Sequence, residues 1–218
     1  VYFESIGFCV NVINDAKLKT IQETLRDYAN GKHGTNIGCF LCFVLTHGNK
    51  NKLCANDTVY FYEELYTPFL PANCEFLNGK HKIFVINACQ DDPEKGINYD
   101  PGNKYYTDAA NLPIHTPEDD DFLVALSSVP GFTTMRSVID GSFFIQCLFE
   151  CLEANRREMV KDDFVSLLIN TGRRMAVDVS RNYGRFSSLD PKKDKCDKKE
   201  NQKQMPIFFT TLREHLFI

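Results

Sequence analysis

"KIFVINACQDD", from Lys82 to Asp92, is an apolar run that stops abruptly. Ile83, Phe84, Val85 and Ile86 are apolar and mostly β-branched, as in a strand buried on both faces. After Asn87 come a small Ala88, the thiol of Cys89 and a turn into polar, acidic chain. The run is too short for a spanning helix, so it reads as a strand that ends in a cysteine. Cys89 is then either a core thiol that closes the strand or a nucleophile presented at its end.

Working outward, "NIGCFLCFVLT" (36–46) is a second continuous apolar run, and "FLVALSSV" (122–129) a third. Helical spacing appears in 15–30, where Leu18, Ile21, Leu25 and Tyr28 recur three and four apart before Asn30-Gly31, a usual helix stop. Residues 141–157 and 161–180 read as amphipathic helices, and "FYEELYTPFL" (61–70) as a shorter one. In 161–180 the acids come first (Asp162, Asp163) and Arg173 and Arg174 come later, the order that suits a helix dipole. "MPIFFTTLREHLFI" (205–218) closes with a strand-like run whose Pro206 is tolerated at a strand start or edge. Buried runs alternating with helices predict an α/β fold: a mostly parallel central sheet with helices on both faces.

Two stretches do not fit a core. Residues 91–121 hold many acids with proline and glycine and read as a long exposed connection. Residues 187–205 read as a charged, solvated loop.

A net charge of -4 gives no attraction to nucleic acid or to an anionic membrane, and no apolar run is long enough to span a bilayer. Nine cysteines, mostly within apolar runs, suit reduced core thiols and a cytoplasmic setting better than a disulfide framework. "CFLC" (39–42) has the C-x-x-C form, but strand alternation points Cys39 and Cys42 to opposite faces, which a metal site cannot use. No glycine-rich phosphate loop comes after any strand, which removes a nucleotide-binding reading. The chain opens at Val1 in what reads as the end of a helix, as expected of a fragment or trimmed product.

In open parallel sheets, reactive groups collect at the carboxyl ends of the strands. Two runs end in such groups: "FVLTHG" in His47 and Gly48, "FVINAC" in Cys89. If the two strands are neighbours, His47 and Cys89 face one another. A free thiol is only a few per cent ionised near neutral pH; a neighbouring imidazole accepts its proton and can return it to a leaving amine. Gly48 leaves its backbone N–H approachable, and with the N–H of Cys89 it could hold an oxyanion. Free cysteines are nonetheless among the most buried residues, and a histidine at a strand end is often a surface group. These residues alone leave both readings of Cys89 open.

The same segments resemble the caspase family. "VLTHGNKNKL" is similar to its histidine segment and "IFVINACQDD" to its cysteine segment. "DFLVALSSVPGFTTMRSVIDGSFFIQCL" resembles the start of its small subunit and "KQMPIFFTTLREHLFI" its final strand. The resemblance implies a caspase-type α/β fold, with Cys89 as nucleophile, His47 as general base and acid, and Gly48 and Cys89 as oxyanion donors. Arg136 would grip a substrate aspartate bidentately, and Thr134 would hold the peptide as an added strand. It also implies a large-subunit-like region over 1–99, incomplete at its start, an exposed linker over 100–121 and a small-subunit-like region over 122–218, together one domain. Asp108, before the small Ala109, is the expected processing site in that linker, and strands near 206–211 would pair across a two-fold axis. No cofactor or metal is expected. Expected partners are proteins or peptides with aspartate at the cleavage site, and a second copy or another caspase in a dimer.

The departures from the family pattern are specific. Asn87 stands where the family has glutamine, one methylene longer, lining the aspartate pocket, and Asp91 stands where it has glycine; Asp92 adds further negative charge. Thr133 and Met135 replace groove aromatics, and the family's other pocket arginine belongs to a segment upstream of Val1. Two functions remain as expectations. One is a cysteine endopeptidase that cleaves after aspartate in apoptosis-type signalling. The alternative is a weakly active or inactive homologue that binds and regulates an active caspase.

Overall fold

Alternation along one strand divides the molecule into two cores. In β5 (His81–Asn87), Ile83 and Val85 enter one apolar cluster and Phe84 and Ile86 enter another, because successive strand side chains point to opposite faces. β5 is flanked by β1 (Cys39–Leu45) and β6 (Phe122–Leu126), with β9 (Ile207–Thr210) beyond β6. The first three run parallel, and β9 is antiparallel to β6. The structure, a computed structural model, describes residues 2–34, 37–49, 52–89, 117, 119–129, 134, 136–137, 141–179 and 204–218, with only the backbone at 136, 137, 178 and 179.

Helices cover both faces. The single turn α1 (Tyr2–Ser5) adds Tyr2 to the first cluster. α4 (Phe143–Arg157) and α5 (Phe164–Arg174) place Phe144, Leu148, Leu152, Phe164 and Leu168 there as well. α2 (Leu18–Ala29) and the single turn α3 (Glu63–Tyr66) place Leu25, Ala29, Leu65 and Tyr66 in the second. The expected mostly parallel α/β sheet is therefore the fold. Phe84 is fully buried among the rings of Phe40, Phe69 and Phe122; truncating it to alanine costs about 3–5 kcal/mol.

The element ends have local causes. α2 stops at Asn30, and Gly31 comes next with φ 71°, a left-handed turn in which an added Cβ would stand 2.9 Å from the Phe76 ring. Asp163 caps α5 by accepting from the N–H groups of Val165 and Ser166 at 2.9 and 3.3 Å. The helix then continues into a π-helical turn, Met175–Val179.

Three expectations need correction, and one feature comes in addition to them. After Gly48 the chain builds a small antiparallel sheet of β2 (Gly48–Asn49), β3 (Lys52–Cys54) and β4 (Val59–Phe61). The helix expected over 61–70 shrinks accordingly, since Phe61 belongs to β4 and Pro68 lacks the N–H to continue α3 past the 3-10 turn Thr67–Phe69. The far end of the acidic connection is anchored, with Asp121 only 5% exposed and its carboxylate bonded to Arg213. Likewise the charged loop does not stay solvated to its end, because Gln204 is 2% exposed. Cys39 and Cys42 do part, one packing against each cluster.

Candidate active site

Register brings the histidine and cysteine segments together. β1 and β5 are adjacent and parallel, and their last pair is Leu45 with Asn87. His47 and Cys89 each lie two residues beyond that pair, at the carboxyl ends of neighbouring strands. The ladder extends one step further, the Thr46 N–H donating to the Asn87 carbonyl at 3.2 Å.

The small antiparallel sheet holds the histidine segment in place. The Cys54 N–H donates to the His47 carbonyl at 2.9 Å, and the Thr46 hydroxyl donates to the Cys54 carbonyl at 2.7 Å. His47 is exposed, so its imidazole is free of the core. Gly48 pairs with Leu53 and is packed tightly: an added Cβ would lie 2.8 Å from the Lys52 carbonyl oxygen and 3.0 Å from that of Cys89. Only a glycine brings the hairpin this close to the end of β5.

Cys89 is half-buried, and its thiol donates weakly to the Thr134 carbonyl, with sulfur and oxygen 3.8 Å apart. The Thr134 side chain turns inward, its hydroxyl donating to the Ala88 carbonyl at 2.8 Å. Ser127 adds a second hydroxyl, 3.3 Å from the same oxygen and 2.6 Å from that of Thr134; Ser128 lies 3.1 Å from Thr134. Gln204 donates its side-chain N–H to the Ser127 carbonyl at 2.7 Å.

Asn87 is buried, and its Oδ1 accepts from the Ser142 hydroxyl at 2.5 Å. Ser142 also caps α4 and belongs to the hairpin of β7 (Arg136–Ser137) and β8 (Gly141–Ser142), where it pairs with Arg136. The Asn87 side chain thus ties the end of β5 to the hairpin that carries the Arg136 backbone. The Arg136 side chain, Asp91, Asp92, Asp108, Thr133 and Met135 lie outside what the structure describes.

Burial pushes the Cys42 thiol up to about 12 and raises that of Cys39. The eight cysteines described are all free, and Cys9 is an exposed one remote in sequence from the site.

Sequence reading missed Ser127, Ser142 and Gln204. Their signal is weak: short polar side chains where an apolar run ends, and one amide beside a lysine-rich loop. What marks them is burial, since a polar group enclosed by protein has to find a partner.

A family model described as "Peptidase_C14: Caspase domain" matches residues 1–217. Caspase-1 of Drosophila melanogaster is 33% identical over 217 residues, covering 96% of this chain and 61% of that protein. Caspase drICE of Drosophila melanogaster is 31% identical over 210 residues, covering 96% of this chain and 58% of that protein. The crystal structure of Caspase-1 from Spodoptera frugiperda matches with a TM-score of 0.74 at 31% identity, covering 98% of this chain and 75% of that one. The chain thus spans about six-tenths of the length of the two Drosophila relatives.

Proposed function

From membership of the caspase family, to which this chain belongs, we propose that it is a cysteine endopeptidase that cleaves protein chains after aspartate. The observation that supports this most is the pairing of β1 with β5, which sets His47 and Cys89 side by side at the carboxyl edge of the sheet. In this reading His47 takes the Cys89 proton, the thiolate attacks the scissile carbonyl, and the imidazolium protonates the leaving amine. Water then attacks the thioester with His47 as base, releasing the acid and restoring the thiol. The N–H groups of Gly48 and Cys89 bind the oxyanion in both steps.

Arg136 is assigned the substrate aspartate, and the Thr134 carbonyl the backbone N–H of the bound peptide. The Asn87–Ser142 bond supports this, because it fixes the Arg136 hairpin to the strand that ends in the nucleophile. Processing at Asp108 divides the chain into 1–108 and 109–218. A second copy joins along β9, the edge strand beside β6 among the described residues, whose Ile207, Phe208 and Phe209 are half-exposed. Free core thiols suit a cytoplasmic setting.

The test is hydrolysis of a reporter peptide ending in aspartate by the intact and processed chain, beside its Cys89→Ala variant. Turnover that is lost in the variant supports the assignment. A chain that cleaves nothing yet binds an active caspase would replace it with the regulatory reading, which Asn87 and Asp91 motivate.

A further inference from the structure

We infer that Thr134 and Ser127 are positioning residues that aim and polarise the backbone N–H of Cys89, one of the two oxyanion donors. The inference rests on the reading of Cys89 as nucleophile. Its physical basis is the planarity of one peptide unit. The Ala88 carbonyl and the Cys89 N–H belong to the same trans peptide, so they point in opposite directions in one plane. Whatever fixes the oxygen fixes the hydrogen.

The oxygen is fixed from the side of β6. Thr134 donates to it at 2.8 Å and Ser127 reaches it at 3.3 Å, the two hydroxyls being only 2.6 Å apart. Ser127 is fully buried and comes directly after β6, its N–H continuing the ladder to the Ile86 carbonyl at 3.0 Å. Gln204, 2% exposed, holds the Ser127 carbonyl at 2.7 Å, so the hydroxyl rests on a braced segment. With its carbonyl drawn toward β6, the peptide turns the Cys89 N–H toward β1 and Gly48. An independent contact agrees: the Cys89 carbonyl oxygen is on that same side, 3.0 Å from where a Gly48 Cβ would stand.

The clamp does more than orient. An amide whose oxygen accepts hydrogen bonds is polarised and becomes a better N–H donor. A preset donor also avoids reorganisation as charge develops on the substrate oxygen. The clamping groups come from Ser127, Thr134 and Gln204, whereas Ala88 and Cys89 precede the acidic connection. The oxyanion donor is therefore held by the other half of the chain.

The test compares Thr134→Val, which keeps the branched shape and removes the hydroxyl, with Thr134→Ser and Ser127→Ala, all in the intact chain. Two readouts are taken: kcat and KM on an aspartate reporter peptide, and the amide proton resonance of Cys89 in 15N-labelled protein. The expected result is a fall in kcat of about tenfold to a hundredfold for Thr134→Val, short of or equal to losing one oxyanion donor outright. KM stays nearly constant, Thr134→Ser restores the rate, and the Cys89 amide proton moves upfield in Thr134→Val. If Thr134→Val does not fold, Ser127→Ala carries the same comparison. An unmoved Cys89 resonance in Thr134→Val, or a parental kcat in Thr134→Val and Ser127→Ala, overturns the inference. If the parent itself shows no turnover, the protease reading fails, while the resonance still decides the clamp.

Discussion

A methyl group on Gly48 would stand 3.0 Å from the carbonyl oxygen of Cys89, closer than a Cβ ordinarily approaches such an atom. The histidine hairpin and the cysteine strand therefore touch backbone to backbone, with the Lys52 carbonyl closing the other side at 2.8 Å. Neither neighbour is a flexible side chain that could yield. Gly48→Ala should force the hairpin away from β5, lower kcat by about tenfold or more, and cost about 1–3 kcal/mol as an overpacking change. Steady-state kinetics and urea denaturation on the same preparation check both effects.

The fold is legible in the sequence because β5 and β6 are buried on both faces and carry almost uninterrupted apolar residues. Cys89 and His47 are legible because each interrupts such a run at its end. The small sheet of β2 to β4 is not, since "GNKNKL" and "VYF" are too short for an alternation to declare itself. Ser127, Ser142 and Gln204 are not, since their importance is a matter of partners far away in the chain: Ser142 meets Asn87, and Gln204 meets Ser127. Asn87 itself reads as a shortened pocket residue, and the structure adds its bond to Ser142.

Ser142 joins two structures with one hydroxyl, donating to Asn87 Oδ1 and accepting from the Ile145 N–H at the start of α4. Ser142→Ala removes a helix cap and leaves a buried amide oxygen without this donor. Its expected cost is about 1–3 kcal/mol of stability. Ser142→Thr, which keeps the hydroxyl, should recover part of it. Denaturant midpoints at constant slope give the measurement.

Asp121 supplies a pH dependence of defined sign. The Arg213 guanidinium, donating at 2.6 and 3.2 Å, holds its carboxyl below the usual carboxylate range against the opposing effect of burial; Lys82 and His81 act in the same sense as Arg213. A carboxyl whose pKa is lower folded than unfolded stabilises fully above its unfolded value, about 3.9, and loses that stabilisation as pH falls through the folded one. Thermal midpoints of the parent should hold from neutrality to about pH 5 and drop below about pH 4. Asp121→Asn should melt lower at neutral pH and show a shallower acid decline. Equal midpoints at neutral pH would show that the pair contributes nothing to stability there.

Processing should not separate the pieces. A cut after Asp108 falls between β5 and β6, strands paired from Lys82–Phe122 to Ile86–Leu126 within one sheet. Mass spectrometry should find a new amino terminus at Ala109, and gel filtration should find both fragments in one peak. Fragments that elute apart would show that the intact connection, rather than the shared sheet, holds the halves together.

Whether Cys89 is the nucleophile of a His47–Cys89 pair is decided by peptide-directed labelling. The intact chain is treated with a halomethyl ketone peptide ending in aspartate, and the adduct is located by proteolytic mass mapping. Iodoacetamide serves in parallel as an undirected reagent, which exposed Cys9 should also consume. Cys42, its thiol pushed up to about 12 by burial, should stay unlabelled by either. The expected result is a single directed adduct, on Cys89, that forms much more slowly in His47→Ala. A directed adduct on Cys9, or labelling of Cys89 at an unchanged rate without His47, would rule the pair out as the catalytic centre.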